Sequence, residues 1–104
     1  MSPRVRFEDE ADAEYRLAGR WYEERREHLG IEFFDAVDAT IDQIVEMPRA
    51  GSLVPRVPTA VPVRRRAVTR FPYHVICLET PTEIRILAIA HDHRKPGYWQ
   101  RRLK

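Results

Sequence analysis

The spacing of apolar residues changes period once along this chain, and that change divides it into a helical half and a strand half. From about Glu8 to His28, Ala11, Tyr15, Ala18 and Tyr22 recur at helical spacing with Leu17 and Trp21 alongside, while Arg16, Arg20, Glu23, Glu24 and Glu27 occupy the remaining face. Glu8, Asp9, Glu10 and Asp12 suit the positive end of this helix dipole, Gly30 predicts its C-terminal stop, and His28 reads as a cation at the helix end. Phe34, Val37, Ile41 and Ile44, backed by Phe33 and Val45, predict a second helix that ends where Met47-Pro48 forbids continuation. Two helices joined near Gly30 make an antiparallel hairpin. Pro48, Gly51, Pro55, Pro58 and Pro62 then predict a loop from Pro48 to Pro62 with little regular structure. Beyond it, Val63 to Phe71, Tyr73 to Glu79 and Glu83 to Ala90 are rich in Val, Ile, Thr and aromatics, and Thr80-Pro81-Thr82 breaks the last two apart. These predict three consecutive antiparallel strands, with Arg4-Val5-Arg6-Phe7 as a short fourth.

A chain of 104 residues is one small domain. A helical hairpin must bury its apolar stripe and a sheet offers one apolar face. The expected class is therefore α+β, an N-terminal helical hairpin packed on a small curved antiparallel sheet of three to four strands. The other sheet face is left for function. Alternation along a strand puts Arg64, Arg66 and Arg70 on one face and Arg65 on the other, and puts His91 with Arg85 and with His93.

Charge is split in the same way as periodicity. Residues 1 to 52 hold 7 basic and 13 acidic side chains, a net −6, while residues 53 to 104 hold 11 basic and 3 acidic, a net +8. Arg64, Arg65, Arg66 and Arg70 cluster on one strand, and Arg94, Lys95, Arg101, Arg102 and Lys104 cluster at the end. Such groups suit an anionic partner, because guanidinium grips phosphate or carboxylate in two places at once. Cys77 cannot form an intramolecular disulfide and reads as a small buried hydrophobe. With no apolar signal core and no run of about 20 apolar residues, no membrane partner is expected and a cytoplasmic protein is. No P-loop, dinucleotide fingerprint or catalytic triad is visible, and His91-Asp92-His93 falls short of a metal ligand set, so neither metal nor cofactor is expected.

The last strand runs directly into His91, Asp92, His93, Arg94, Lys95, Pro96, Gly97, Tyr98 and Trp99, which makes that junction the candidate working site. Cleaving RNA through its own 2′-hydroxyl needs a proton acceptor, cations for the charge on phosphorus, and a donor for the departing oxygen. His91 or His93 can serve as acid or base, Arg65 and Arg94 can hold the phosphate, and Tyr98 and Trp99 offer flat faces to an unstacked base. Against this, Tyr98 and Trp99 can simply close the core.

The helical hairpin with Trp21-Tyr22, Phe33-Phe34 and Pro48-Arg49-Ala50-Gly51, the arginine strand followed by Phe71-Pro72-Tyr73, and the ending Ala90 to Trp99 together resemble the RelE/ParE superfamily of toxins, over nearly the whole chain. The resemblance implies a toxin of a bacterial type II toxin–antitoxin module that inhibits growth and is neutralised by a cognate antitoxin. RelE-like members enter the ribosome and cut messenger RNA, whereas ParE-like members poison DNA gyrase without nuclease chemistry. The RelE-like C-terminal tyrosine falls on Tyr98, four residues beyond Arg94, and the basic residue of the preceding strand falls on Arg65. An arginine of that pattern is replaced by His74 and a second by Asp92, while a terminal histidine of related members falls near His93. The residue chemistry and these matches together make Arg65, His91, His93, Arg94 and Tyr98 the expected catalytic residues, and the cationic clusters with His74 give Arg64, Arg66, Arg70, His74, Lys95, Arg101 and Arg102 as the expected RNA- or anion-binding residues. The expected target is the ribosome with its message, the alternatives being gyrase or an inactive antitoxin-binding module. The expected antitoxin segment is acidic and partly disordered, and it contacts Arg64, Arg66 or Arg70.

Overall fold

The computed structural model describes residues 3–55, 57 and 61–103, so the readings made on Pro58 and Lys104 lie outside the described residues. Among the described residues the order is strand β1 (Arg4–Phe7), helix α1 (Asp9–Arg25), helix α2 (Leu29–Glu46), strands β2 (Ser52–Leu53), β3 (Val63–Ala67), β4 (Tyr73–Glu79) and β5 (Glu83–His91), and a closing 3-10 turn, Gln100–Leu103. The described strands form one five-stranded sheet in the order β1-β5-β4-β3-β2. The β2–β3, β3–β4 and β4–β5 pairs are antiparallel, whereas β1 lies parallel to β5 with Arg4 beside Glu83 and Phe7 beside Ile86. The fold is the α+β architecture expected from the spacing, with more strands than expected and a parallel edge. That edge is possible because the whole hairpin and meander separate β1 from β5 in sequence, which leaves room for a parallel return.

The hairpin buries the Ala11–Ala18 line of the predicted stripe, whereas Leu17 and Trp21, read alongside it, stay 61% and 50% exposed. Ala11, Ala18 and Gly19 of α1 and Phe33, Val37, Ile41 and Ile44 of α2 pack with Val75, Cys77, Ile84, Ile86 and Ile89 on one sheet face. Burial pushes the Cys77 thiol up to about 11, so it stays protonated and behaves as the small hydrophobe expected.

The hairpin turn differs from expectation in a physically specific way. Helix α1 stops at Arg25, His28 takes the left-handed conformation at φ 70°, and Gly30 lies inside the first turn of α2. Gly30 is small because the helices touch there: a Cβ would stand 2.5 Å from the backbone oxygen of Gly19. Glu23 supplies the cap that His28 does not, its carboxylate accepting the N–H groups of His28 at 2.9 Å and Gly30 at 3.0 Å, bonds that hold it below the usual carboxylate range. Replacing Gly30 with Ala is expected to destabilise the protein by about 2 kcal/mol despite alanine's better helix propensity, because the clash is with backbone. A urea melt of Gly30→Ala that matches wild type would show that the helices can part without cost.

Two departures move predicted site residues. The third strand ends at Ala67 rather than Phe71, because Arg70 enters a turn with φ 74°; there its guanidinium meets Glu32 of α2 at 2.9 Å instead of joining the strand face of Arg64 and Arg66. Ile76 pairs with Ala88 but Cys77 pairs with Ile86, so Leu87 is an extra residue in β5. This bulge lets Leu87 and Ala88 both face away from the helices and reverses the alternation beyond them. Arg85 and His91 consequently fall on opposite faces, not on one. The far face is also not bare: Val63, Ile76, Leu78, Leu87, Ala88 and Ala90 form a second apolar cluster there, closed by Trp99. Among the described residues no helix is long and apolar enough to cross a membrane.

Candidate functional site

After β5 the chain turns back across the far face of the sheet, anchored by Trp99, which is only 3% exposed. Between this return and strands β3 and β4 lies a cleft of about 510 Å³. Ile76, Ala90 and Trp99 contribute apolar surface to it, and Arg65, His74, Asp92, Arg94, Lys95 and Tyr98 contribute the polar groups. Arg65 reaches it because, pairing with Ile76 in mid-strand, it shares that residue's face; Arg64 and Arg66, paired with Cys77 and Val75, take the other.

Two local arrangements set the chemistry of the cleft. The first is a pair: His74 Nδ1 lies 2.7 Å from Asp92 Oδ1. These are the two positions at which the chain departs from the arginines of the RelE-like pattern, and they satisfy one another. The second is a network. The Tyr98 hydroxyl donates to Glu14 of α1 at 2.6 Å, and the same carboxylate accepts both terminal nitrogens of Arg102 at 3.0 and 3.1 Å and the N–H of Ile89 at 3.0 Å. Arg102 also donates to the carbonyl of Leu87 at 2.9 Å. Beyond Ile86, where β1 no longer covers β5, these two side chains therefore serve backbone groups of an edge that has lost its neighbouring strand. Burial, then the bond to Glu14, raises the Tyr98 phenol well above the ordinary tyrosine range, so it stays a protonated donor. Its ring carries the guanidinium of Arg94 at 3.9 Å from the centroid and that of Arg102 at 5.1 Å.

The remaining sequence-predicted residues are placed elsewhere. His91 touches the cleft, but its ring packs edge-on against Tyr73 at 5.0 Å, and Tyr73 packs with Tyr22 and Phe33 on the helix side. His93 lies outside the cleft lining, its N–H donating to His91 Nδ1 at 3.0 Å and its ring 5.0 Å from that of His91. Arg64 donates to the Gly51 carbonyl at 2.9 Å, Arg70 pairs with Glu32, and Arg101 is exposed 3.6 Å from Glu10. The structure thus brings together Arg65, His74, Arg94, Lys95 and Tyr98, places Arg102 behind them as a partner of Glu14 and the Tyr98 ring rather than in the cleft lining, and sets apart the His91 and His93 rings, Arg64, Arg66, Arg70 and Arg101. Glu14 is the participant that sequence reasoning missed. Its signal was present: it falls three residues after Ala11 and four before Ala18, at the margin of an apolar stripe, where a carboxylate needs partners.

The arginines divide by partner. Arg6, Arg16, Arg26, Arg49, Arg70, Arg85, Arg101 and Arg102 each meet a carboxylate, Arg85 pairing with Glu8. Among the described residues, Arg65, Arg94 and Lys95 at the cleft have no carboxylate within ion-pair reach.

Comparison with known proteins agrees with this architecture. Residues 5–96 match the family model of the ParE toxin of the type II toxin–antitoxin system parDE. No protein of curated function matches the sequence. A solved structure described as the chromosomal ParDE toxin–antitoxin system from P. aeruginosa shares the fold with a TM-score of 0.69 at 17% identity, over 86% of this chain and 96% of that one. With the family model spanning nearly all of the helical hairpin and sheet, this chain belongs to the ParE toxin family of type II toxin–antitoxin systems, a membership that implies a cognate antitoxin.

Proposed function

We propose that the protein is a growth-inhibiting toxin that acts as a DNA gyrase poison without nuclease chemistry of its own. The observation that carries this reading is the ParE family match across residues 5–96, since ParE-like rather than RelE-like members of the superfamily act on gyrase. The cleft supports it. Of the residues expected to cut RNA, Tyr98 has its hydroxyl committed to Glu14, and His91 accepts a backbone N–H at Nδ1 while its ring packs on Tyr73. The two positions where RelE-like members carry cations hold a His74–Asp92 pair instead.

One observation favours the second reading, ribosome-dependent cleavage of messenger RNA. In the tautomer in which His74 Nδ1–H donates to Asp92 Oδ1, the other ring nitrogen carries the lone pair and can accept a proton from a substrate hydroxyl beside Arg65 and Arg94. The two readings separate in parallel assays. Purified protein with gyrase and supercoiled plasmid is expected to accumulate cleaved plasmid, while message in a translating extract stays intact. Intact plasmid together with discrete message cleavage that disappears in His74→Gln would reverse the assignment.

A further inference from the structure

We infer that the cleft is a clamp for the sugar-phosphate backbone of a single nucleic-acid strand, with Arg94 and Arg65 gripping phosphate from opposite walls and Lys95 adding charge at the rim. The inference deepens the gyrase reading by naming what the cleft holds, and only the DNA source of the strand rests on that reading. Elsewhere in the positive half Arg70, Arg85, Arg101 and Arg102 are neutralised by the chain's own acids, and Arg64 and Arg66, which also meet no carboxylate among the described residues, lie on the other sheet face, so Arg65, Arg94 and Lys95 are the unpaired cations that the cleft gathers. Asp92, the acid lining the cleft, is engaged by His74.

Arg94 is also held in place. Its guanidinium carbon lies 3.9 Å from the centroid of the Tyr98 ring, whose hydroxyl is held by Glu14 and from which Arg102 stands 5.1 Å. A guanidinium held against an anchored ring loses less freedom when it forms the two parallel bonds that a phosphate accepts. The cleft then joins two kinds of surface that a polynucleotide repeats and an acidic peptide does not: cations for the backbone, and apolar or flat groups, Ile76, Ala90 and the His74 ring, for a sugar or an unstacked base. In a duplex the bases are stacked inward and would leave that floor unused, which points to a single strand.

The test is fluorescence anisotropy with a fluorescein-labelled oligothymidylate and the matching oligouridylate between about 50 and 200 mM salt, with an oligoglutamate peptide as competitor. Wild type, the double variant Arg65→Ala/Arg94→Ala, and a control, Arg20→Ala on exposed α1, are compared after thermal melts establish that each is folded. The double variant is expected to bind at least tenfold more weakly, with a salt slope smaller by roughly 1.4, about 0.7 for each lost phosphate contact. The control is expected to bind like wild type. Equal affinity and slope in the double variant would overturn the clamp, as would oligoglutamate binding more tightly than either oligonucleotide. Preference for oligothymidylate assigns the strand to DNA, and preference for oligouridylate assigns it to RNA. Running the gyrase assay on the same samples separates the two ideas: plasmid cleavage without oligonucleotide binding sinks the clamp alone, and binding without plasmid cleavage sinks the target alone.

Discussion

Replacing Trp99 with Ala is expected to lower stability by about 3–5 kcal/mol, the range for truncating a buried aromatic, and hence the melting temperature by roughly 15 °C or more. The indole is buried over the second apolar cluster and shares it with Leu87, Ala88 and Ala90, which the bulge in β5 turns toward it. Without it, the return of residues 92 to 100 loses its apolar anchor, and the cleft loses one wall. Calorimetry should therefore show a large loss in Trp99→Ala, and hydrogen exchange should show faster exchange on β5. Truncating Leu17, 61% exposed on α1, is the matched comparison and should change stability by no more than about 0.5 kcal/mol. A Trp99→Ala protein that melts within a few degrees of wild type would mean that the C-terminal segment does not rest on the sheet in solution.

The helices, the three long strands and the α+β class were legible because each rests on local spacing, at a period of about 3.6 or of 2. What local spacing does not encode is which distant element meets which. Gly30 looked like a helix stop because a glycine after a helical run usually is one; its role depends on the backbone of Gly19 passing against it. The bulge at Leu87 leaves no mark in an unbroken apolar run, yet it decides that His91 and Arg85 part company. Arg70 sits four residues past Arg66 in a stretch rich in Val and Thr, so alternation carried it onto a strand face, whereas its positive φ turns it toward Glu32. The candidate site was legible in the same measure. Arg65, His74, Arg94, Lys95 and Tyr98 meet because the strand and the terminal return cross. That the His74 and Asp92 departures compensate one another, and that Tyr98 is held by an acid 84 positions earlier in the chain, required the fold.

Replacing Glu14 with Ala is expected to cost about 3 kcal/mol, because it strips the bidentate partner from a guanidinium that is 6% exposed and leaves that buried charge with only the more distant Glu10, 3.5 Å from its Nε. Tyr98→Phe removes one of several donors to the same carboxylate and should cost only about 1 kcal/mol. The two losses should not add in the double variant, since the phenol has no acceptor there once Glu14 is gone. The network also predicts an alkaline signature with a defined sign. Folding raises the Tyr98 phenol by burial first and by its bond to Glu14 second, so the folded state favours the protonated form. The associated stability is fully present below the unfolded phenol's value of about 10 and falls as pH rises from there through the folded value. Glu14→Gln leaves the burial but weakens the second cause, which brings the phenol part of the way back. Spectroscopic titration of tyrosinate should therefore show one phenol ionising earlier in Glu14→Gln than in wild type, and chemical denaturation above about pH 10 should find that phenol contributing a shallower loss of stability with pH in the variant. Identical titration curves would mean that Tyr98 does not bond to Glu14 in solution, and the held position of Arg94 in the cleft would go with it.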